Sequence, residues 1–223
     1  MTGAFQRLSG WGRYPVQECR VFRPERSADV RPPVLAREGR TLIPRGLGRS
    51  YGDAAINGGG DVLDYSRMNR MRAFDAESGI LECEAGVSLA DILDVFVPRG
   101  FFPPVMPGTK FVTLGGAIAN DVHGKNHHRD GSFSQFVVEI TLLTPTGEIV
   151  TCSPEEQPDV FWATAGGVGL TGVILTAKIR LKRIETAYCW VDYLRTKNID
   201  DTLAAFTESD RNYEYSVAWV DCL

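Results

Sequence analysis

Apolar positions recur with helical spacing most clearly at Leu89, Ile92, Leu93, Phe96 and Val97, one face of a helix over residues 88–97. Ser88 suits its N-cap, Asp91 favours the first-turn amide dipoles, and Pro98 and Gly100 stop it. Short apolar runs predict strands at 41–44 and from Val62, with a loop at Asn57-Gly58-Gly59-Gly60 between them. Residues 71–74 and 80–84 read as a hairpin around 75–79. A second strand pair is predicted at 136–144 and 148–152, across Pro145-Thr146-Gly147. Val173, Leu175, Ala177, Ile179 and Leu181 alternate with more polar residues, which predicts a strand over 173–181 with one buried face.

Elsewhere the pattern is weaker. Residues 1–24 read as irregular, with Trp11 as a core plug. A helix within 27–38 is predicted to start near Pro32 and Pro33 and to end at Gly39. Ser153-Pro154 predicts a helix start, continuing towards Trp162. The pattern changes near 182–186, where a domain boundary is expected. Beyond it a strand at 187–194, a helix at 199–207 and a strand at 213–220 are predicted. This β-α-β piece stops without a cap or turn, so the chain reads as truncated, or as completed by a partner chain. An unfinished sheet edge after Val220 would favour pairing with a second copy.

Composition narrows the partners. The chain has 223 residues, 43% hydrophobic and 23% charged, as expected of a folded domain. Net charge is −4 and no basic stripe is interleaved with aromatics, which argues against nucleic acid. The five cysteines, Cys19, Cys83, Cys152, Cys189 and Cys222, form no CxxC and read as reduced thiols. There is no apolar run of membrane-span length and no signal-peptide core near the N-terminus. A cytoplasmic protein without an integral membrane segment is expected.

Candidate chemistry lies in three glycine-rich segments, residues 45–53 (RGLGRSYGD), 107–128 (PGTKFVTLGGAIANDVHGKNHH) and 166–172 (GGVGLTG). The middle one holds all three histidines and few large side chains, so a ligand or a close backbone approach is expected to order it. Glycine-rich turns can aim successive amides at an anion. Three together point to a long ligand with an anionic middle, such as a dinucleotide, against the plainer reading that each is a tight turn. Gly46, Gly48 and Gly52 do not fit the Rossmann spacing: Tyr51 stands where the third glycine belongs, and no amphipathic helix follows. No P-loop string occurs.

With LSGWGR at 8–13 and FWATAGGVGLTG at 161–172, these strings resemble the FAD-linked oxidases of the vanillyl-alcohol-oxidase type, the PCMH-type FAD-binding superfamily. Within it they are most similar to the decaprenylphosphoryl-ribose 2-oxidase branch. The resemblance implies an α+β fold: an FAD-binding domain of two α+β subdomains over residues 1–185, then the start of a substrate domain over 187–223. It implies an oxidoreductase that takes a hydride from an alcohol carbon, a sugar or sugar-derivative hydroxyl, to FAD, with a sugar-like or polyprenyl-phosphate sugar as substrate. A catalytically incomplete flavin-binding module that needs a partner chain, or an aldonolactone-type oxidase, are the alternatives. Carried over residue by residue, Arg45, Gly46, Leu47, Gly48, Arg49, Ser50 and Tyr51 would wrap the pyrophosphate and reach the flavin. Pro107, Gly108, Thr109, Thr113, Gly115 and Gly116 would continue the cradle. Asn120, Asp121 and His123 would approach the flavin, and Gly169, Gly172 and Val173 the adenine or ribose end. Relatives that bind FAD covalently carry a histidine where Arg49 stands, so non-covalent FAD is implied.

His123 and His127 are spaced as metal ligands can be, but no cysteine or close carboxylate pair completes a set, and no metal is expected. His127 and His128 read as loop residues. For the proton of the substrate hydroxyl, His123 and Tyr51 are the catalytic candidates, with Lys125 a weaker contact to an anionic group.

Overall fold

The N-terminal stretch with no readable periodicity folds into sheet. In the computed structural model, β1 (Ala4–Leu8) and β2 (Gln17–Phe22) form an antiparallel pair. The structure describes residues 2–36 and 38–222. Met1, Arg37 and Leu223 fall within the expected 1–185 unit, the expected helix to Glu38 and the expected 187–223 unit, and lie outside the described residues. After α1 (Ser27–Leu35), β3 (Leu42–Arg45) and β4 (Asp61–Asp64) complete a sheet of order β1-β2-β4-β3, with β4 parallel to both neighbours. Arg20 and Asp61 face each other across β2 and β4. The guanidinium donates two hydrogen bonds of 2.8 Å to the buried carboxylate, the bidentate geometry arginine favours.

The second sheet begins with the expected hairpin, β5 (Met71–Asp75) and β6 (Ile80–Glu84). Then come α2 (Leu89–Phe96), the short β7 (Phe101–Phe102), α3 (Leu114–Ala119) and the single turn α4 (His127–Asp130). Next follow β8 (Val137–Leu143), β9 (Ile149–Cys152), α5 (Pro158–Thr164) and β10 (Val173–Arg180). The sheet order is β5-β6-β10-β8-β9, antiparallel throughout. β11 (Lys182–Arg183) pairs with β7, and α6 (Ile199–Ser209) closes the series. The fold is α+β. One core joins the two sheets: Phe22 and Leu63 of the first are buried in the same cluster as Leu81, Ile140 and Leu175 of the second.

α2 starts where its cap requires: Ser88 Oγ accepts from the Asp91 amide at 3.1 Å, and the Asp91 carboxylate accepts from the Ser88 amide at 3.0 Å. Gly100, at φ 80°, ends the following turn in a left-handed conformation that glycine adopts without strain.

Several expectations are corrected. α1 runs through Pro32 and Pro33 instead of starting at them, because burial of Val30, Pro33 and Val34 outweighs the lost amide bonds. Ser153 caps a turn, accepting from the amides of Glu155 and Glu156, and the helix begins only at Pro158. β10 is buried on both faces, Ile174 and Thr176 included, since it lies at the centre of its sheet. Trp11 is no core plug: it is 54% exposed, with the Arg49 guanidinium 5.0 Å above its ring. The 107–128 segment does carry core residues, for Leu114, Ala117 and Ile118 of α3 are buried.

The strands expected at 187–194 and 213–220 do not form; between these stretches lies only α6. No ladder partner meets them, and Trp190 and Trp219 are 89% and 95% exposed. A strand without a neighbour leaves its amides to water and gains nothing over coil. The later stretch docks instead on the histidine-rich loop: the Ser216 amide donates to the Lys125 carbonyl at 3.0 Å, and Lys182 pairs with Glu214.

Cys19, Cys83 and Cys152 are buried, and burial pushes the Cys83 thiol up to about 12. Since the thiolate is the reactive form, only Cys189 and Cys222 are expected to react promptly with a thiol reagent at mildly alkaline pH. Counting thiols before and after unfolding checks this; more than two fast thiols in the folded chain would refute it.

Candidate functional site

A cavity of about 410 Å³ opens where the two sheets meet, within the size range of small-molecule sites. The loop leaving β3 supplies one wall, from Arg45 to Tyr51. Thr113, Gly115, Gly116 and Asn120, at either end of α3, supply the second. Val168, Gly169 and Gly172, between α5 and β10, supply the third. Tyr65, Ala85, Val112 and Ile174 add a largely apolar part of the lining.

The walls are tied to one another through backbone. A Cβ on Gly46 would lie 2.2 Å from Thr113 Oγ1, so the first two loops can meet only at a glycine. Thr113 in turn caps α3, its hydroxyl accepting from the Gly116 amide at 3.1 Å. The Gly115 amide donates to the Ala85 carbonyl at 2.8 Å. The third loop hangs from α3: the amides of Gly166 and Val168 donate to the carbonyls of Ile118 and Ala119 at 3.0 and 2.8 Å.

The lining is suited to an anion. Among the described residues, two arginines and no carboxylate line it. Among the described residues, no backbone amide from Gly46 to Asp53 donates a hydrogen bond within the chain. A run of unspent donors along a glycine loop is the geometry of an anion nest. Arg45 braces that loop, donating to the carbonyls of Ala55 and Ser9 at 2.8 and 2.7 Å. Burial draws its guanidinium below the ordinary arginine value, opposed by the charge of Asp64. Arg49 donates to the Phe111 carbonyl at 3.2 Å and so spans the mouth from one loop to the next.

Of the residues singled out from sequence, the cavity brings together Arg45, Gly46, Leu47, Gly48, Arg49, Ser50, Tyr51, Thr113, Gly115, Gly116, Asn120, Gly169 and Gly172. It does not bring Pro107, Gly108, Thr109, Asp121 or His123 to its wall. Val173 lines a smaller neighbouring cleft that shares Pro44, Gly169 and Gly172 with the cavity. The Asp121 carboxylate accepts from Ser132 Oγ at 2.7 Å and from the Ser134 amide at 2.8 Å, and so holds the loop after it. His123 bridges to Ser132, and its ring stands edge-on to that of His127 with centroids 5.4 Å apart. Among the described residues no three His, Cys, Asp or Glu side chains form a group that could hold a metal ion.

Sequence reasoning missed several wall residues, among them Tyr65, Ala85, Val112, Thr164, Val168 and Ile174. Alanine and the aliphatics carry no local signal of a binding wall. Tyr65 carries one, a hydroxyl directly after the apolar residues of β4, whose partner only the fold could reveal.

Comparison with known proteins agrees with this geometry. Residues 20–153 match the family described as FAD binding domain. The chain is 45% identical over 223 residues to the decaprenylphosphoryl-beta-D-ribose oxidase of Mycolicibacterium smegmatis, covering 98% of this chain and 48% of that protein. It is 31% identical over 182 residues to cytokinin dehydrogenase 10 of Oryza sativa subsp. japonica, covering 77% of this chain and 33% of that one. The chain thus spans half or less of the length of these relatives. No helix among the described residues is long and apolar enough to cross a membrane. A nest of free amides, two arginines and a matching family over most of the two-sheet region lead to one conclusion: this chain belongs to the FAD-binding domain family and its cofactor is FAD.

Proposed function

We propose that this chain is the FAD-binding part of an oxidoreductase that oxidises a CH–OH carbon of a sugar-like molecule, a polyprenyl-phosphate sugar above all, with FAD held non-covalently. The observation that carries this reading is the cavity at the meeting of the two sheets, with its row of unspent amides on the Gly46–Asp53 loop. The substrate class follows from the 45% identity to a decaprenylphosphoryl-beta-D-ribose oxidase. When bound, the flavin supplies the two-electron acceptor for the alcohol carbon. The chain's own residues do the rest. The amides from Gly46 to Tyr51 face the pyrophosphate, while Gly115 and Gly116, whose amides bond the Ala85 carbonyl and Thr113 Oγ1, let the backbone approach it closely. Asn120, Asp121 and His123 belong to the flavin end, with Pro107, Gly108 and Thr109 on the approach to it. Gly169, Gly172 and Val173 hold the adenosine end.

Tyr51 and His123 are the proposed proton-handling residues. Tyr51 lines the cavity and is 77% exposed, so a substrate entering from the mouth meets it first. His123, off the wall, acts from the loop on which the 213–216 stretch is docked. Residues 187–223 begin the substrate domain in this reading, with α6 as its helix.

Among the described residues neither histidine nor cysteine lines the cavity, which supports the non-covalent reading. The purified chain is expected to show the visible flavin bands, and acid precipitation to leave the yellow colour in the supernatant. Absence of the bands, with none appearing on addition of FAD, would sink the cofactor reading; colour in the pellet would sink the non-covalent one. Anaerobic addition of a polyprenyl-phosphate ribose to protein expressed from the whole gene tests the activity, with bleaching expected. A second reading, a flavin-binding module that works together with another chain, is favoured by the exposed aromatics Tyr188, Trp190, Tyr193 and Trp219 on the stretches around α6. It gains if FAD binds but no sugar bleaches it.

A further inference from the structure

Two side-chain atoms shut off from solvent have no hydrogen-bond partner among the described residues, the Tyr65 hydroxyl and Asn126 Oδ1. Only Tyr65 belongs to the wall of the cavity. The residue is 3% exposed, and its backbone is fixed on both sides. Its amide donates to the Arg45 carbonyl at 2.9 Å and its carbonyl accepts from the Met68 amide at 3.0 Å. Gly86 lies so close beneath that a Cβ there would stand 2.1 Å from the Tyr65 carbonyl oxygen. The ring therefore cannot withdraw from the cavity by a backbone shift. Burial, reinforced by the charge of Glu84, pushes the phenol upward from its ordinary value. The group is a neutral O–H donor at neutral pH.

Native proteins rarely leave such a donor unmatched, because its hydration is lost with nothing in return. The wall residues Ala85, Val112 and Ile174 have no polar side-chain atom to offer it, and the Thr164 hydroxyl is engaged with the Val160 carbonyl and Thr171. The arginines and loop amides answer the anionic middle of the ligand. What remains for Tyr65 is the ligand itself. We propose that Tyr65 is a cofactor-binding residue, its hydroxyl donating a hydrogen bond to an acceptor atom of FAD seated against this part of the wall. The assignment rests on the chain's FAD-binding role and adds a residue that none of the glycine motifs contains.

The test is Tyr65→Phe, which keeps the ring and deletes only the hydroxyl. Stripped of flavin, wild type and variant are each titrated with FAD by flavin fluorescence, and the flavin-free forms are melted. The variant is expected to bind FAD about tenfold more weakly, the effect of one lost hydrogen bond to a buried group. Its flavin-free form is expected to melt at the wild-type temperature or above, since an unmatched buried hydroxyl has been removed. FAD affinity within twofold of wild type would overturn the proposal. So would a flavin-free variant that melts lower, because the hydroxyl would then have a partner within the protein, such as an enclosed water. A wild-type chain that binds no FAD would defeat the cofactor reading as a whole; equal binding by both proteins defeats this inference alone.

Discussion

Gly46→Ala is expected to weaken FAD binding about a hundredfold, equivalent to about 2.7 kcal/mol, and to lower the stability of the flavin-free chain by about 1–3 kcal/mol. The new Cβ would lie 2.2 Å from Thr113 Oγ1 and 3.0 Å from its Cγ2, well inside contact distance. Either the two loops separate or Thr113 turns away. If it turns, α3 loses the hydroxyl that accepts from the Gly116 amide, a cap worth about 1 kcal/mol. In both cases the amides following Gly46 and the close backbone at Gly115 and Gly116 no longer meet on one ligand. A flavin fluorescence titration and a thermal melt check the two halves separately. The double variant Gly46→Ala, Thr113→Ala removes the side chain that clashes and should cost less than the sum of the single changes. Full FAD affinity in Gly46→Ala would show that the loops are not held by this approach.

Phe161→Ala is expected to cost about 3–5 kcal/mol, a large share of the roughly 5–15 kcal/mol that holds a domain folded. Phe161 is 0% exposed in the main core, with its ring edge-on to Trp162 at 4.9 Å. It anchors α5, whose end at Thr164 leads directly into the third wall of the cavity. Its carbonyl also accepts from the Ala165 amide at 2.9 Å, which closes that helix. The loss should appear as a lower urea midpoint. Saturating FAD should recover part of it, because a ligand that binds only the folded state stabilises it by mass action. A variant with an unchanged midpoint would mean that this core position tolerates a void, contrary to its burial.

Much of the second sheet was legible in the chain because its signals are local. The β5–β6 hairpin turns on Asp75–Gly79, where the Asp75 carboxylate accepts from the Glu77 amide at 3.0 Å. The start of α2 is set by Ser88 and Asp91, three residues apart. The first sheet was harder to read. β1 and β2 carry no clean alternation, and β2 pairs in parallel with β4 across an intervening helix and strand. The two stretches around α6 show the reverse case: their apolar content is that of strands, yet with no ladder partner they stay irregular and largely exposed. β propensity describes fit to a neighbouring strand more than a preference of the isolated segment.

For the site, the sequence alone indicated the ligand class and most of the loop residues that line the cavity. The three glycine loops, their order and their non-Rossmann spacing are properties of the chain itself, and they sufficed to indicate a dinucleotide site; the meaning of Arg49 came only through the family resemblance. Only the tertiary structure decided which of those residues share a wall. It brought Gly46 against Thr113 and hung the third loop from α3. It also left His123 and Asp121 off the cavity and placed Tyr65 on it with an unmatched hydroxyl. The physical reason is range. Turn chemistry, capping and glycine conformation act between residues a few positions apart, so they can be read along the chain. A cavity wall is made by segments far apart in sequence, and whether a buried donor finds its acceptor there depends on how the two sheets meet.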